Sequence, residues 1–415
     1  VLVIPLNAST SDIQRVDFLM KSSGQLRNAV LGTMIGRAEQ LRRDPRWSEL
    51  RDEKKSKSRT DTYNKLKKEY CLNEFDTIRA AQKHALKSGW LKDHLDGRII
   101  TSLGKEVWTP INLWLHNQAG KPRFVSANKR AILSGNDQRA GLRYKNGYVV
   151  HSTQAINRAL KSRQPLGEKL LKIRVGWENI PKKRRKYYHE QTENIKKVSI
   201  VRRGINLEAH LVYDCLPYRH ENKICQAREN LKKQVSFDLG PSSLAFVAPS
   251  NNQSGVIQPT AKMRSEIKKE RSKRHRLERA IDRSKRVNNP DCFQKNGSYI
   301  PGKKIKVKSK NYFELQQQLR DSYGRERRLV DTWHQKNTHQ LTDLGLEFIT
   351  EKDTISNWQE GGYGRSITTL APAALKDRLF YEAKVLPEHH GLEENNTELN
   401  TYSTWLSQSC LCGQR

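Results

Sequence analysis

The sequence predicts an α+β protein with more than one domain, in which a small β-barrel with a helical insertion precedes an α/β domain that carries a basic helical insertion of its own. Three observations predict this fold class. Apolar residues recur at helical spacing from Ile13 onward. Short alternating stretches with Gly-bearing turns follow between residues 119 and about 220. Further along, two strand-like stretches that each end in a carboxylate enclose the most basic part of the chain.

The composition points to a polyanionic partner. The 415 residues include 77 Lys and Arg against 44 Asp and Glu, which gives a formal net charge of +33, and the sequence pI is about 10.0. Because such a field attracts polyanions over distances on the order of tens of ångströms at low salt, nucleic acid is the expected partner. An anionic membrane surface is the alternative, but the sequence has no long apolar run and no signal-like start. We therefore expect a soluble, intracellular protein without a membrane partner.

The N-terminal part of the sequence predicts one strand followed by helices. The apolar run in residues 1–8 is assigned to the first strand of the barrel, and residues 9–12 offer several N-caps for a helix. Residues 9–118 form the predicted helical domain, with basic residues opposite an apolar stripe. The stripe includes Ile13, Val16, Leu19, Leu26, Val30 and Met34, and it continues at Leu66, Tyr70, Ile78, Ala81 and Ala85.

The rest of the barrel is predicted within residues 119–232. Its strand-like stretches are residues 120–124, 141–144, 147–150, 197–203 and 207–213. Lys and Arg interleaved with Tyr and Phe suit a groove that holds a nucleic-acid backbone and stacks its bases. An ordinary half-exposed sheet is the alternative interpretation.

Two carboxylates stand out in the α/β part. Asp238 closes an apolar stretch that a Gly-Pro-Ser-Ser turn joins to a second stretch at residues 244–248, and Glu351 closes the apolar stretch 346–351. Two acids side by side on a sheet repel each other unless a divalent cation lies between them, and Mg²⁺ prefers carboxylate oxygen. Such a site can activate a phosphodiester for hydrolysis, which is typical of a metal-dependent nuclease. Taken singly, Asp238 as a turn residue and Glu351 as an exposed acid are the simpler interpretations.

The most basic part of the chain, residues 262–310, lies between these two stretches. Leu277 and Ile281 predict a helix that ends near Asn289 and Pro290, because the residue before proline disfavours helix. A loop rich in Gly, Pro and Lys follows, and a second helix is predicted from about Tyr312 to Gln335. A solvated charged face is the usual explanation of such a run. Its place between the two acids favours a helical hairpin that contacts phosphates.

The six cysteines are mostly predicted to be reduced thiols, since their spacing has no disulfide rhythm. The exception is Cys410 and Cys412, which flank one residue and are followed by Gly413, as in a knuckle that turns both sulfurs toward one Zn²⁺. Tetrahedral zinc needs four ligands, so this is half of a zinc site, and coincidence is the alternative.

These features together resemble one family: the TnpB-like transposon-associated proteins and their relatives, the type V CRISPR effectors, with a RuvC-like nuclease domain. Residues 120–124 (Gly-Lys-Pro-Arg-Phe) look like the signature of the guide-binding barrel, and residues 237–240 (Phe-Asp-Leu-Gly) resemble the first RuvC motif. The matching segments further along are residues 281–286 and 289–290 of the basic insertion, Glu351 with Trp358, residues 364–366 and 371–372 of the second motif, and Thr404 with residues 406–408 and 410–413 at the start of a zinc ribbon.

The resemblance implies a domain order. It gives a wedge-type, OB-like barrel from residues 1–8 and 119–232, with a helical recognition domain at 9–118. An RNase H-like (RuvC) α/β domain follows at 233–404, with its helical insertion at about 262–336. The last segment, 405–415, would be the start of an incomplete zinc ribbon. It also implies an RNA-guided DNA endonuclease in a prokaryotic cytoplasm, nucleoid-associated when bound to DNA. Its partners would be a guide RNA and double-stranded target DNA with a short flanking motif.

The same resemblance assigns residues. Asp238 and Glu351 would bind catalytic Mg²⁺, while Cys410 and Cys412 would bind structural Zn²⁺. The expected nucleic-acid contacts are Lys121, Arg123 and Arg130 for the guide, and Arg279, Arg283 and Arg286 for the backbone.

The chain departs from the family in two places. Its cysteines have a CxC spacing where the family usually has CxxCG, and the family's third RuvC aspartate falls beyond this sequence, so that metal ligand stays unassigned. Two alternatives therefore remain. One is a guide-dependent DNA-binding protein without cleavage activity, acting as a repressor or targeting subunit, and the other is a basic RNA-binding structural protein.

Overall fold

The computed structural model describes residues 1–52, 54, 56–139, 141–153, 171–204, 206–303, 305–351, 364–392 and 397–399. The chain divides into two compact units, Val1–Cys215 and Leu216–Arg415. The protein is α+β and contains a nearly closed, barrel-like antiparallel sheet, which confirms the coarser part of the predicted fold class.

The sheet of the first unit has seven described strands, all paired antiparallel. They are β1 (Leu2–Asn7), β2 (Ile132–Ser134), β3 (Leu142–Lys145), β4 (Tyr148–His151), β5 (Leu171–Val175), β6 (Ile195–Arg203) and β7 (Asn206–Tyr213). Their order across the sheet is β2-β6-β7-β1-β5-β4-β3. The first strand of the chain belongs to this sheet, as the sequence predicts, although more than a hundred residues separate it from the next strand. It lies in the middle of the strand order.

Helices fill the segment between β1 and β2. They are α1 (Thr10–Arg43), α2 (Pro45–Asp52), α3 (Lys57–Glu69), α4 (Glu74–Lys87), α5 (Gly89–His94) and α6 (Gly97–Leu115). The first of them starts with a capping box, in which the Ser9 side chain accepts a hydrogen bond from the Asp12 backbone and the Asp12 carboxylate accepts one from Ser9. Its apolar stripe is buried, and Val16, Leu19 and Val30 are each 0% exposed. Local capping and periodicity thus account for this region.

The remaining element of the first unit is α7 (Lys182–Glu190). Short 3-10 turns occur at Ala127–Lys129, Trp177–Asn179 and Thr192–Asn194 in this unit, and at Pro249–Asn251 and Pro290–Cys292 in the second. One predicted strand is wrong: residues 120–124 belong to no strand or helix. Contacts with α1, described below, replace a strand partner for this segment.

The second unit is built on a five-stranded mixed sheet. Its described strands are β8 (Gln234–Leu239), β9 (Leu244–Ala248), β10 (Gln253–Ile257), β11 (Glu347–Glu351) and β12 (Thr397–Leu399), in the order β10-β9-β8-β11-β12. The first three form an antiparallel meander. The next two continue it with parallel pairing, β11 beside β8 and β12 beside β11. Parallel neighbours require a long crossover, and the basic insertion supplies it.

Helices of this unit are α8 (Glu221–Asn230), α9 (Ala261–Asn288), α10 (Lys310–Leu344), α11 (Gly364–Leu370) and α12 (Pro372–Glu388). One face of the sheet packs against α10 and α12. The core there consists of Val235, Phe237, Leu239, Leu244, Phe246, Ala248, Ile257 and Phe348 from the strands with Leu341, Leu344, Leu375, Leu379 and Ala383 from the helices. The two faces of the sheet therefore have different roles, because this one is sealed by apolar side chains.

The basic insertion is the hairpin of α9 and α10, two helices that pack on each other. The first ends at Asn288, directly before the Asn-Pro pair that predicts its end. The second runs from Lys310 to Leu344, longer at both ends than the predicted span. Asn289 fixes the loop between them, since its side chain donates to the Val307 carbonyl at 2.8 Å and accepts from the amides of Lys306 and Val307.

The boundary between the two units falls at residue 215, whereas the sequence placed residues up to 232 with the barrel. The cause is α8, which packs within the second unit. Its Asn230 side chain donates to the carbonyls of Thr342 and Asp343 at 3.3 and 2.9 Å, and Ala227 lies in a small core with Leu346 and Leu386. The expected domain limits otherwise stay predictions.

The membrane prediction is tested by helix length and hydropathy. Among the described residues, no helix combines the length and the apolar character that crossing a bilayer requires.

Candidate active site and nucleic-acid interface

The two candidate catalytic acids lie on neighbouring strands. Parallel pairing of β8 and β11 makes Phe237 the register partner of Thr350. Asp238 and Glu351 are the next residues of their strands, so they continue this register side by side, on strands about 4.8 Å apart. Residues that face each other across parallel strands point to the same side of the sheet. The sheet topology thus brings together two acids that are far apart in sequence.

Burial shows which side that is. Phe237 and Thr350 are 4% and 3% exposed and face the apolar core, while Asp238 is exposed and Glu351 half-buried. The acids therefore lie on the opposite face, where Val247 of the adjoining strand is 50% exposed. Both stand at the carboxyl ends of their strands, which is where open α/β sheets bind ligands.

Lys376 of α12 contacts the end of the strand that carries Glu351. Its ammonium group donates a 2.9 Å hydrogen bond to the backbone carbonyl of Glu351. The helix is anchored beneath the sheet by Leu375 and Leu379, which belong to the core. This contact fixes the backbone of Glu351, and sequence reasoning missed it because it depends on how the helix packs.

The two acids are suitable ligands for Mg²⁺. Two carboxylates on a partly open face, held at the ends of rigid strands, present the hard oxygen ligands that this ion prefers. No group of three or more His, Cys, Asp or Glu side chains placed to hold a metal occurs among the described residues. Asp238 and Glu351 would thus supply two protein ligands, and the predicted third acid remains unassigned.

The hairpin next to the sheet is stiffened by an internal ion-pair network. Glu326 of α10 receives the guanidinium groups of Arg274, which is 9% exposed, and Arg271, whose Nη2 lies 3.3 Å away. Arg271 also donates to Thr369 of α11. Because charges this enclosed are costly to separate, the network fixes both helices relative to α11.

The three predicted backbone-contacting arginines differ in environment. Arg279 and Arg283 are exposed, and in the described part of the chain neither has a hydrogen bond or an ion pair. Arg286 pairs with Asp282 one turn earlier and lies over the Phe293 ring at 5.9 Å. The helical period puts all three arginines within about 60° of one another, so they share one face of α9.

The segment that resembles the guide-binding signature lies along α1. Asn28 donates to the Val125 carbonyl at 2.6 Å and accepts from the Val125 amide at 3.3 Å. One turn to either side are glycines: a Cβ on Gly24 would come within 2.9 Å of the Ala127 backbone, and one on Gly32 within 3.8 Å of the Phe124 ring. These three positions, spaced four apart, make a track for an extended chain. Sequence reasoning missed this contact, because two glycines and an asparagine spaced four residues apart in a helix are not a recognisable binding motif.

The predicted guide-contacting side chains on this track differ in exposure and in ion pairing. Arg123 is exposed and has no partner among the described residues, and Phe124 is 60% exposed beside it. Lys121 forms an ion pair with Glu39 of α1, and the hydrogen bond from Lys121 is the main cause of a lowered pKa at that carboxyl. Arg123 and Phe124 are therefore the most available contacts for a strand of nucleic acid.

Arg130 is enclosed. Its side chain is 9% exposed and makes two hydrogen bonds, 2.9 and 2.7 Å long, with the carboxylate of Glu106, which also pairs with Arg27. Burial by itself raises the pKa of Glu106, but the hydrogen bonds and charges of the two arginines outweigh it and the net shift is downward. The structure thus gives Arg130 a structural ion pair, and its guide contact stays a prediction.

The candidate zinc ligands Cys410 and Cys412 lie outside the described residues, as does Trp358 of the second motif. A comparison with protein-family models gives no match for this chain, and a comparison with curated proteins gives none either.

Proposed function

We propose that this protein is an RNA-guided DNA endonuclease that hydrolyses phosphodiesters at a Mg²⁺ site formed by Asp238 and Glu351. The main support is the placement of the two acids: they follow the register pair Phe237 and Thr350 on adjacent parallel strands, on the face away from the core. An α/β sheet with acids at neighbouring strand ends is also what the resemblance to RuvC-like domains requires. The basic hairpin between these strands attracts polyanions.

The chemistry of the two acids follows from their spacing. Their carboxylates, carried by strands about 4.8 Å apart, repel each other, and a shared cation relieves that repulsion. Bound Mg²⁺ would neutralise charge on the attacking and leaving oxygens of the phosphodiester. Lys376 holds the backbone of Glu351 through its carbonyl, and rigid strand ends keep the carboxylates in place before substrate arrives.

The remaining basic surfaces would divide the nucleic-acid contacts. Arg123 and Phe124 on the α1 track suit a guide strand, because a cation beside an exposed aromatic ring can contact a phosphate and stack a base. Arg279, Arg283 and Arg286, on one face of α9, suit backbone phosphates of the target. Sequence specificity would come from base pairing between guide and target.

Cleavage of a matched DNA target, by protein carrying its co-purified RNA, tests the proposal. We expect Mg²⁺-dependent strand cleavage that Asp238→Ala and Glu351→Gln each lower by about a hundredfold or more, since even indirect partners of metal ligands are worth about 10–100-fold. Glu347→Gln is the matched control, because Glu347 starts the same strand and lies on the same face. It should cleave like the parent protein.

Two other results would replace the proposal. Guide-dependent DNA binding without cleavage by the parent protein would favour the repressor or targeting subunit. A heterogeneous mixture of co-purified RNAs, with no single structured species and no guided binding, would favour the structural RNA-binding protein. Equal activity in the Glu347, Asp238 and Glu351 variants would show that Asp238 and Glu351 do not take part in catalysis.

A further inference from the structure

A large cavity in the second unit lies at the same edge of the sheet as the two acids. It has a volume of about 830 Å³, and Ser242, Gln258 and Leu370 are part of its lining. Ser242 belongs to the turn that follows β8, and Gln258 comes directly after β10. Both of these strands run antiparallel to β9, so their carboxyl ends share one edge with that of β11. The cavity therefore lies at the sheet edge where the strands carrying Asp238 and Glu351 end, although neither acid lines it.

One side of the cavity is cationic. Arg264 and Lys268 are exposed, lie one turn apart on α9, and have neither a hydrogen bond nor an ion pair among the described residues. Arg271 and Arg274 continue the lining, and Glu278 is the one carboxylate among the described residues that line it. The excess of positive charge favours an anionic ligand such as a phosphate.

The other side is apolar and aromatic. Ile267 and Leu370 are 6% and 7% exposed and pack together beneath the cavity. Tyr323 of α10 lines it with a side chain that is 54% exposed, and the Arg274 guanidinium lies 4.5 Å from its ring centroid. Glu326 fixes that guanidinium, and one of its nitrogens, Nη1, is buried without a hydrogen-bond partner among the described residues. The ring is thus held in place by its neighbour.

We infer that this cavity binds one nucleotide of a single DNA strand, with its phosphate on Arg264 and Lys268 and its base against Tyr323. A ligand that is anionic at one end and planar at the other fits this division of the walls. The volume lies within the range of small-molecule sites, about 300–1,000 Å³. The inference takes its choice of DNA from the proposed function, but it concerns binding alone and needs neither metal nor guide.

Binding of a single-stranded tetranucleotide that contains 2-aminopurine tests it, in EDTA and without guide RNA. The fluorescence of 2-aminopurine is quenched when the base stacks, so this probe separates base binding from attraction of phosphates. Salt is raised until binding to the rest of the basic surface is suppressed. We expect quenching with the parent protein, and a loss of about tenfold in affinity with little quenching for Tyr323→Ala. Tyr323→Phe should keep both.

The cationic wall has a matched control on the same helix. Arg264→Gln with Lys268→Gln should weaken binding about tenfold or more, whereas Lys269→Gln with Lys273→Gln, which removes equal charge from the opposite side of the hairpin, should leave quenching intact. The inference is overturned if both pairs weaken binding equally, or if Tyr323→Ala binds and quenches like the parent. Since cleavage is not measured, an inactive Asp238→Ala protein that still quenches the probe would separate this site from the proposed nuclease activity.

Discussion

Phe237 and Thr350 are register partners on adjacent parallel strands and both are buried, which turns their successors Asp238 and Glu351 together onto the outer face of the sheet. A pair of like charges in this position stores repulsion that a cation or a neutral substitution relieves. The consequence can be measured without nucleic acid.

Asp238→Asn should therefore stabilise the metal-free protein and remove its response to Mg²⁺. We expect the free energy of unfolding in EDTA to rise by about 1 kcal/mol, the Coulomb energy of two unit charges some 5 Å apart in a mostly aqueous setting. Saturating Mg²⁺ should stabilise the parent protein by about 1–3 kcal/mol and the variant much less. Chemical denaturation with and without Mg²⁺ measures both, with Glu347→Gln as control. Equal Mg²⁺ stabilisation of parent and variant would contradict a metal site at Asp238.

Asn28→Ala should release the segment 120–126 from α1. The variant lacks two partly exposed hydrogen bonds, at a cost of about 1–2 kcal/mol, and the freed chain should be cut faster by trypsin after Arg123. Asn28→Asp keeps the acceptor for the Val125 amide but not the donor, so an intermediate effect is expected. RNA affinity should fall as the segment becomes more mobile. Gln40→Ala, an exposed change on the same helix, should alter neither, and unchanged cleavage in the Asn28 variants would show that the segment is held by other interactions.

Glu106→Gln should destabilise the protein more than its surface position suggests. Arg130 keeps its buried guanidinium but loses the charged partner, and Arg27 loses its pair as well. Because Glu106 itself is 40% exposed, we expect about 1–3 kcal/mol, below the cost of breaking a fully buried pair. Urea denaturation measures it. The control is Glu69→Gln, whose exposed pair with Arg46 should be worth well under about 1 kcal/mol.

Replacing Arg279, Arg283 and Arg286 by glutamine should flatten the dependence of DNA affinity on salt. For duplex DNA, removing one interaction between a cationic side chain and a phosphate reduces the slope of log affinity against log salt by about 0.9. Arg286 is paired with Asp282, whereas Arg279 and Arg283 have no ion pair among the described residues. The total change should therefore correspond to about two phosphates rather than three. A control that removes the same charge from Lys182, Lys183 and Arg184 of α7 should change the slope less. Equal slopes in both triple variants would show that the hairpin arginines make no particular contribution to DNA binding.

Acid should destabilise the fold through histidines whose pKa is lowered, foremost the buried His334. Burial is the largest cause of a lowered pKa at His334, which is 3% exposed and hydrogen-bonded to the Leu370 carbonyl at 2.7 Å. Burial shifts the pKa of His84, His116 and His389 in the same direction. The unfolded chain therefore binds more protons, and stability that is complete above the ordinary value of 6.5 is lost as the pH falls below it.

For His334 alone the slope is at most about 1.4 kcal/mol per pH unit, and it applies between that value and the lower pKa of the folded state. Denaturation curves at a series of pH values measure it, and His334→Gln should reduce the slope. A variant with the parent's slope would place the acid sensitivity elsewhere.

Features that depend on neighbours along the chain could be predicted from the amino-acid sequence. Ser9 and Asp12 predict the start of α1, the Asn-Pro pair at 289–290 predicts the end of α9, and Phe237 to Gly240 predicts a strand followed by a turn. The net charge of +33 requires no structure at all. These features follow from backbone preferences and composition, which act locally.

Which segments meet depends on tertiary packing. The alternation in 346–351 does not reveal that β11 pairs parallel with β8, and only that register makes neighbours of Asp238 and Glu351. Packing likewise placed residues 120–124 along Gly24, Asn28 and Gly32 instead of in a strand, and it enclosed Arg130 against Glu106. In each case the partner is distant in sequence, and its choice depends on which surfaces can be buried together, a property of the whole unit rather than of any short segment.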